Sequence, residues 1–215
     1  MARRNGATHR VTEVDWTSEH FTYRSVWNAA IQLREAGDRD RDHEHWFSSQ
    51  LAALVLTYTA YEGFLNHVIE TLYPEVWQKE RSFFRTQPYE GTLGKTKFLA
   101  DRLGMALHRA ARPYRTVAEL HSWRNDLVHP RTVRGAGVRR ADAYARKPNR
   151  VQPVSFRKLG QDGFVDRCFD DAAALADALL DAAVQGHTPG ARELSKLGSF
   201  AFWGPFALGG GSLKR

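Results

Sequence analysis

The strongest constraint in this sequence is the apolar pattern of residues 45–73. Phe47, Leu51, Leu54, Val55, Tyr58, Leu65, Val68, Ile69 and Leu72 recur there at steps of three and four, the spacing that lines one side of an α-helix. The pattern predicts one long helix, and Pro74 either closes it or begins a short helical turn through Phe84. An earlier helix is expected over residues 16–35, with Val26, Trp27, Ala30, Ile31 and Leu33 as a coarse stripe and Gly37 as its stop. Thr92 has the chemistry of an N-cap for a helix carrying Phe98, Leu99, Leu103 and Leu107. Pro113 suits the first turn of another helix, with Val117, Leu120, Arg124, Leu127 and Val128 inward, and Pro130 should end it at His129. Residues 165–185 predict the last helix, with Phe169, Ala172, Leu175, Ala176, Leu179 and Ala183 inward and Asp166, Asp170, Asp177 and Asp181 along another face. The expected fold class is all-α: a helical bundle of four to five main helices with a long basic loop before the last one.

Residues 131–163 supply that loop. They lack helical period and contain Gly135, Gly137, Pro148, Pro153, Gly160 and Gly163, with one candidate strand at 151–156. The formal net charge of the chain is +7. Its excess is local: between residues 131 and 158 nine Lys and Arg face the single Asp142, and the remainder is close to neutral. Two readings of such a segment stand side by side, an element facing a polyanion and a solvated loop partly neutralised by an acidic helix face. Residues 1–15 are expected to form a flexible N-terminus and 16–190 the helical domain. Residues 191–215 form an aromatic and glycine-rich tail that packs on the core or on a partner. The hydrophobic share of 42% and charged share of 26% are those of a globular chain. One cysteine, Cys168, excludes an internal disulfide and a cysteine-based zinc site. With no signal peptide pattern and no run of about 20 apolar residues, the expected location is cytoplasmic, without membrane partners.

Two polar residues interrupt apolar faces. Glu62 lies seven residues after Val55 and seven before Ile69, on the stripe of the long helix, where a carboxylate is costly unless paired or hydrogen-bonded. Arg124 stands in the same way among Val117, Leu120 and Val128. Opposite charges on two apolar faces suggest a structural ion pair or a polar cleft, and Asn66, one turn after Glu62, lines the same place. His129 follows Arg124 by five positions, about 140° further round at roughly 100° per residue. Because Pro130 ends the helix, His129 can leave the regular path and reach the face of Arg124. A histidine at a helix C-terminus also has a simpler role as a cap favoured by the macrodipole.

The segment Arg124-Asn125-Asp126-Leu127-Val128-His129, late in an all-α bundle, resembles the R-x4–6-H motif of the HEPN superfamily, with Asn125 as the polar residue that commonly follows the arginine. The segment Ala60-Tyr61-Glu62-Gly63-Phe64-Leu65-Asn66 is similar to the HEPN helix whose acidic or polar residue faces that motif. The resemblance spans roughly residues 16–185. It implies a metal-independent endoribonuclease, needing no cofactor and cleaving RNA at the cleft of a homodimer, in a toxin–antitoxin or antiviral defence setting. RNA carries its own nucleophile, the 2′-hydroxyl, so the protein must supply a proton-transfer group near neutrality and a fixed cation for the developing charge. His129 suits the first role and Arg124, a bidentate phosphate ligand, the second. Asn125 would orient His129 or bind phosphate, and Glu62, helped by Asn66, would hold Arg124. Arg131, Arg134, Arg139 and Arg140 would follow the RNA backbone. HEPN toxins inactivated by nucleotidyltransferase antitoxins carry a tyrosine two residues after the histidine. Arg131 occupies that position here, which puts that route, though not every antitoxin or regulatory protein partner, in doubt.

Two rival readings remain. One is a non-catalytic HEPN-type module that binds RNA or a nucleotide, and the other a helical scaffold whose basic loop and tail dock onto another protein. Other signals carry less. Gly94-Lys95-Thr96 is like the end of a P-loop, but Tyr89 stands where the first glycine belongs and no strand precedes it. His43, Glu44 and His45 with Asp40 and Asp42 alternate at a helix start and share no face for a metal. Cys168 reads as packing.

Overall fold

The computed structural model describes residues 21–39, 45–128, 159, 163–195 and 200. Among them are eight helices and no strand: α1 Thr22–Arg39, α2 Trp46–Leu72, α3 Pro74–Trp77, α4 Glu80–Phe83, α5 Gly91–Arg102, α6 Tyr114–Val128, α7 Phe164–Gln185 and α8 Ala191–Ser195. Five of them, α1, α2, α5, α6 and α7, are long enough to build a bundle, as the apolar periodicity predicts. No helix among the described residues is long and apolar enough to cross a membrane.

The centre of the bundle is α2, whose 27 residues extend about 40 Å at 1.5 Å per residue. It is buried on more than one side, with Leu54, Tyr58, Tyr61, Phe64, Leu65, Val68 and Ile69 at most 1% exposed. That breadth lets α1, α5, α6, α7 and α8 all pack against it. Helix α7 lays Phe164, Cys168, Phe169, Ala172, Leu175, Ala176 and Leu179 into the same core. Arg112, just before α6, grips Asp171 of α7 through Nε and Nη2 at 2.7 and 2.9 Å. This forked pair ties the start of α6 to the middle of α7.

Several sequence expectations shift. Gly37 lies inside α1, buried against the Gln50 amide, and the helix continues to Arg39. Thr92 falls in the first turn of α5, which has no side-chain cap, so its hydroxyl is used elsewhere. Helix α5 ends at Arg102, short of Leu107. Gly104 takes a left-handed φ of 67°, and the Met105 N–H closes on the Ala100 carbonyl at 2.9 Å, the reversal that terminates many helices. Val128 is 47% exposed, whereas the heptad-like pattern put it inside; Trp123 takes the buried place. From the tail, Leu194 and Phe200 enter the core. Phe200 is stacked on Tyr23 and edge-on to Phe64, with its N–H on Asp177 Oδ1 at 2.5 Å.

Residues 1–15, the basic segment 131–158 with the candidate strand, and most of the tail lie outside the described residues.

Candidate functional site

Helix α6 presents His121, Arg124 and Asn125 on one side, as positions three and four apart on a helix must. That side faces Tyr58 of α2. The four side chains are joined directly. Tyr58 Oη meets His121 Nδ1 at 2.5 Å, His121 Nε2 meets Asn125 Nδ2 at 3.0 Å, and Arg124 Nη1 donates to Asn125 Oδ1 at 3.2 Å. The Arg124 guanidinium also lies over the Tyr58 ring, 5.6 Å from its centroid, a cation–π contact.

The chain of contacts continues to the other misplaced charge. Thr92 of α5 donates to Glu62 Oε1 at 2.8 Å, and both residues lie near enough to the Tyr58 phenol to act on its titration. Glu62 is thus bonded to Thr92, and Arg124 to Asn125, His121 and Tyr58 in turn, the two groups meeting at the Tyr58 phenol. Among the described residues they form no direct ion pair. Arg124 is half-buried, and among the described residues its buried Nε–H has no acceptor and its guanidinium no carboxylate at ion-pair range.

Burial sets the protonation of the connecting groups. Desolvation drives the Tyr58 phenol well above its ordinary value, so it stays an O–H group. His121 is pushed below its usual range by burial first and by the Arg124 cation second, with Glu62 opposing. It is therefore a neutral imidazole in neutral solution, held at both ring nitrogens.

Asn66 lies elsewhere. Its Oδ1 accepts from Lys95 Nζ at 2.7 Å, and Lys95 also pairs with Glu80 at 2.6 Å. Together with Tyr61 to Thr96 at 2.9 Å, this is a second polar seam between α2 and α5. It explains the P-loop-like tripeptide structurally. Lys95 is a buried, neutralised cation and Thr96 a partner of Tyr61. A Cβ on Gly94 would meet the Tyr89 carbonyl at 2.0 Å, so only glycine lets α5 start so close to that backbone.

Of the residues singled out from the sequence, the structure brings Arg124 and Asn125 into contact and sets Glu62, bonded to Thr92, near the Tyr58 ring that Arg124 covers. His129 lies outside the described residues, as do Arg131, Arg134, Arg139 and Arg140. Of the candidate metal group, Asp40, Asp42, His43 and Glu44 do so too. Three participants were missed. Tyr58 was counted as an apolar stripe residue and Thr92 as a cap. His121 carried a usable signal: it stands three and four residues before Arg124 and Asn125, on the same helical side.

Comparison with protein-family models, curated proteins and solved structures finds no match to this chain.

Proposed function

We propose that this chain is a metal-independent endoribonuclease of HEPN type, acting as a homodimer and cleaving RNA by attack of the 2′-hydroxyl on the adjacent phosphate. The setting that goes with this reading is toxin–antitoxin or antiviral defence. One observation carries it. Arg124 is a fixed, half-buried cation held by an amide and an aromatic face, with no carboxylate among the described residues at ion-pair range. An arginine fastened by neutral groups keeps its positive charge for an external anion, and a phosphodiester matches its planar fork. In this reading Arg124 stabilises charge on the phosphorane, and His129, five residues on in the sequence, transfers the proton. Arg131, Arg134, Arg139 and Arg140 hold the RNA backbone.

Arg124→Ala and His129→Ala should each abolish cleavage of a mixed RNA substrate while leaving the thermal unfolding cooperative. Activity should persist in chelator and leave 2′,3′-cyclic phosphate ends. Loss of cleavage in chelator would sink the metal-independent mechanism.

A second reading is supported by His121. Both of its nitrogens are engaged and it is neutral, so the histidine nearest Arg124 in the network is not available for proton transfer. If His129 does not supply that step, the same arginine serves a non-catalytic RNA- or nucleotide-binding or regulatory module. Intact RNA after incubation with the wild-type dimer, together with salt-sensitive binding lost in Arg124→Ala, would select it.

A further inference from the structure

The hydrogen bonds from Arg124 to Tyr58 have only one consistent direction. A guanidinium can only donate, so the first of them is fixed. Asn125 must turn its Oδ1 to Arg124, which leaves Nδ2 to donate to His121 Nε2. His121 Nε2 is then the bare nitrogen and Nδ1 carries the proton, which goes to Tyr58 Oη. Thr92 spends its single proton on Glu62. Each donor from Arg124 to Tyr58 points away from the cation, an arrangement in which successive bonds polarise one another.

We propose that His121 is a positioning residue for Arg124: as a neutral Nδ1–H imidazole it fixes the Asn125 amide, and protonating it releases the guanidinium. A second proton on the ring would place Nε2–H against Asn125 Nδ2, donor against donor across 3.0 Å. Turning the Asn125 amide relieves that clash but presents Nδ2 to Arg124 Nη1, a second donor pair. The strain therefore arrives at Arg124 whichever way Asn125 turns. Among the described residues, the titratable and charged groups acting on the imidazole are Tyr58 and Glu62 from α2 and Arg124 from α6, while α5 contributes the neutral Thr92. Burial and Arg124 oppose protonation and Glu62 favours it. The functional consequence rests on reading Arg124 as the anion-binding group.

The test uses the full 15N-labelled chain and a short 2′-O-methyl oligoribonucleotide, which cannot be cleaved. Two-bond proton–nitrogen correlation should show the Nδ1–H tautomer of His121 at neutral pH, and the Arg124 Nε–H resonance should move with the His121 titration. Oligonucleotide affinity should fall about tenfold through that titration, the scale of one lost hydrogen bond to a charged group. His121→Phe should show the weakened affinity already at neutral pH. His121→Gln, which keeps an acceptor for Asn125 and cannot titrate, should restore most of the affinity and abolish the pH step. An Nε2–H tautomer, or the same pH step in His121→Gln, would overturn the proposal. If Arg124→Ala leaves oligonucleotide affinity unchanged, the anion-binding reading fails. The tautomer and the coupled Arg124 resonance then decide the positioning role by themselves.

Discussion

Lys95 and Arg124 both reach an asparagine beside α2, and the two sites end very differently. Lys95 is 5% exposed and has Glu80 at 2.6 Å as well as Asn66. Its charge is consumed within the fold. Arg124 is half-buried, bound to Asn125 at 3.2 Å and set over Tyr58, and among the described residues it forms no ion pair with a carboxylate. A cation closed by a counter-ion contributes to packing, and removing one partner strands the other. A cation held only by neutral groups retains its field, at some cost in stability, and that field is what an anionic ligand needs. The two cations differ in their partners, and on the proposed reading that difference separates a structural charge from a ligand-binding one.

The contrast makes predictions of decreasing size. Arg124→Ala should lower RNA cleavage at least about a hundredfold, the usual effect of removing one donor to developing charge, whereas Lys95→Met should leave the activity of each folded molecule intact. Cleavage per folded molecule, with folding checked by circular dichroism, measures this. In urea unfolding, Lys95→Met should cost about 3 kcal/mol, the lower end for breaking a buried pair because Glu80 is partly exposed. Arg124→Met should stay within about 1 kcal/mol. The reverse order would erase the distinction between the two sites. Thr92→Val should cost about 1 kcal/mol and perturb the Arg124 resonances while leaving those of Lys95 in place. A shift confined to the Lys95 cluster would show that Thr92 does not connect Glu62 to Tyr58.

The smallest effect is on pH dependence. His121 has a depressed value in the folded state relative to its ordinary 6.5. The unfolded chain therefore takes up the proton first, and stability falls as pH drops below about 6.5. The melting temperature should decline over that range in the wild type and less steeply in His121→Phe. Equal slopes would remove His121 from the acid response.

Much of this was legible in one dimension. The steps of three and four in α2 and α7 reflect the period of a helix with an apolar side, so the elements and most core residues follow directly. Gly37 was misleading because a helix-interior glycine looks like a stop, and only the approach of Gln50 shows why the helix continues. Thr92 misled for a similar reason: a hydroxyl near a helix start looks like a cap, and nothing local reveals that a carboxylate lies across the interface. In the sequence Lys95 fails as a phosphate ligand for want of a glycine where Tyr89 stands and of a preceding strand, and only the structure shows that Glu80 and Asn66 enclose it.

By itself, then, the sequence determined the helices, the apolar interior and the two charges, Glu62 and Arg124, that do not belong on it, because periodicity and charge are local properties. Tertiary structure alone decided what those charges do. Direct pairing across α2 and α6 was one outcome open to them, and the packing gave Glu62 to Thr92 and Arg124 to Asn125, His121 and Tyr58 instead. Which donor meets which acceptor depends on ångström-scale approach between residues as far as 63 positions apart, as with Tyr58 and His121, and no local spacing encodes that distance.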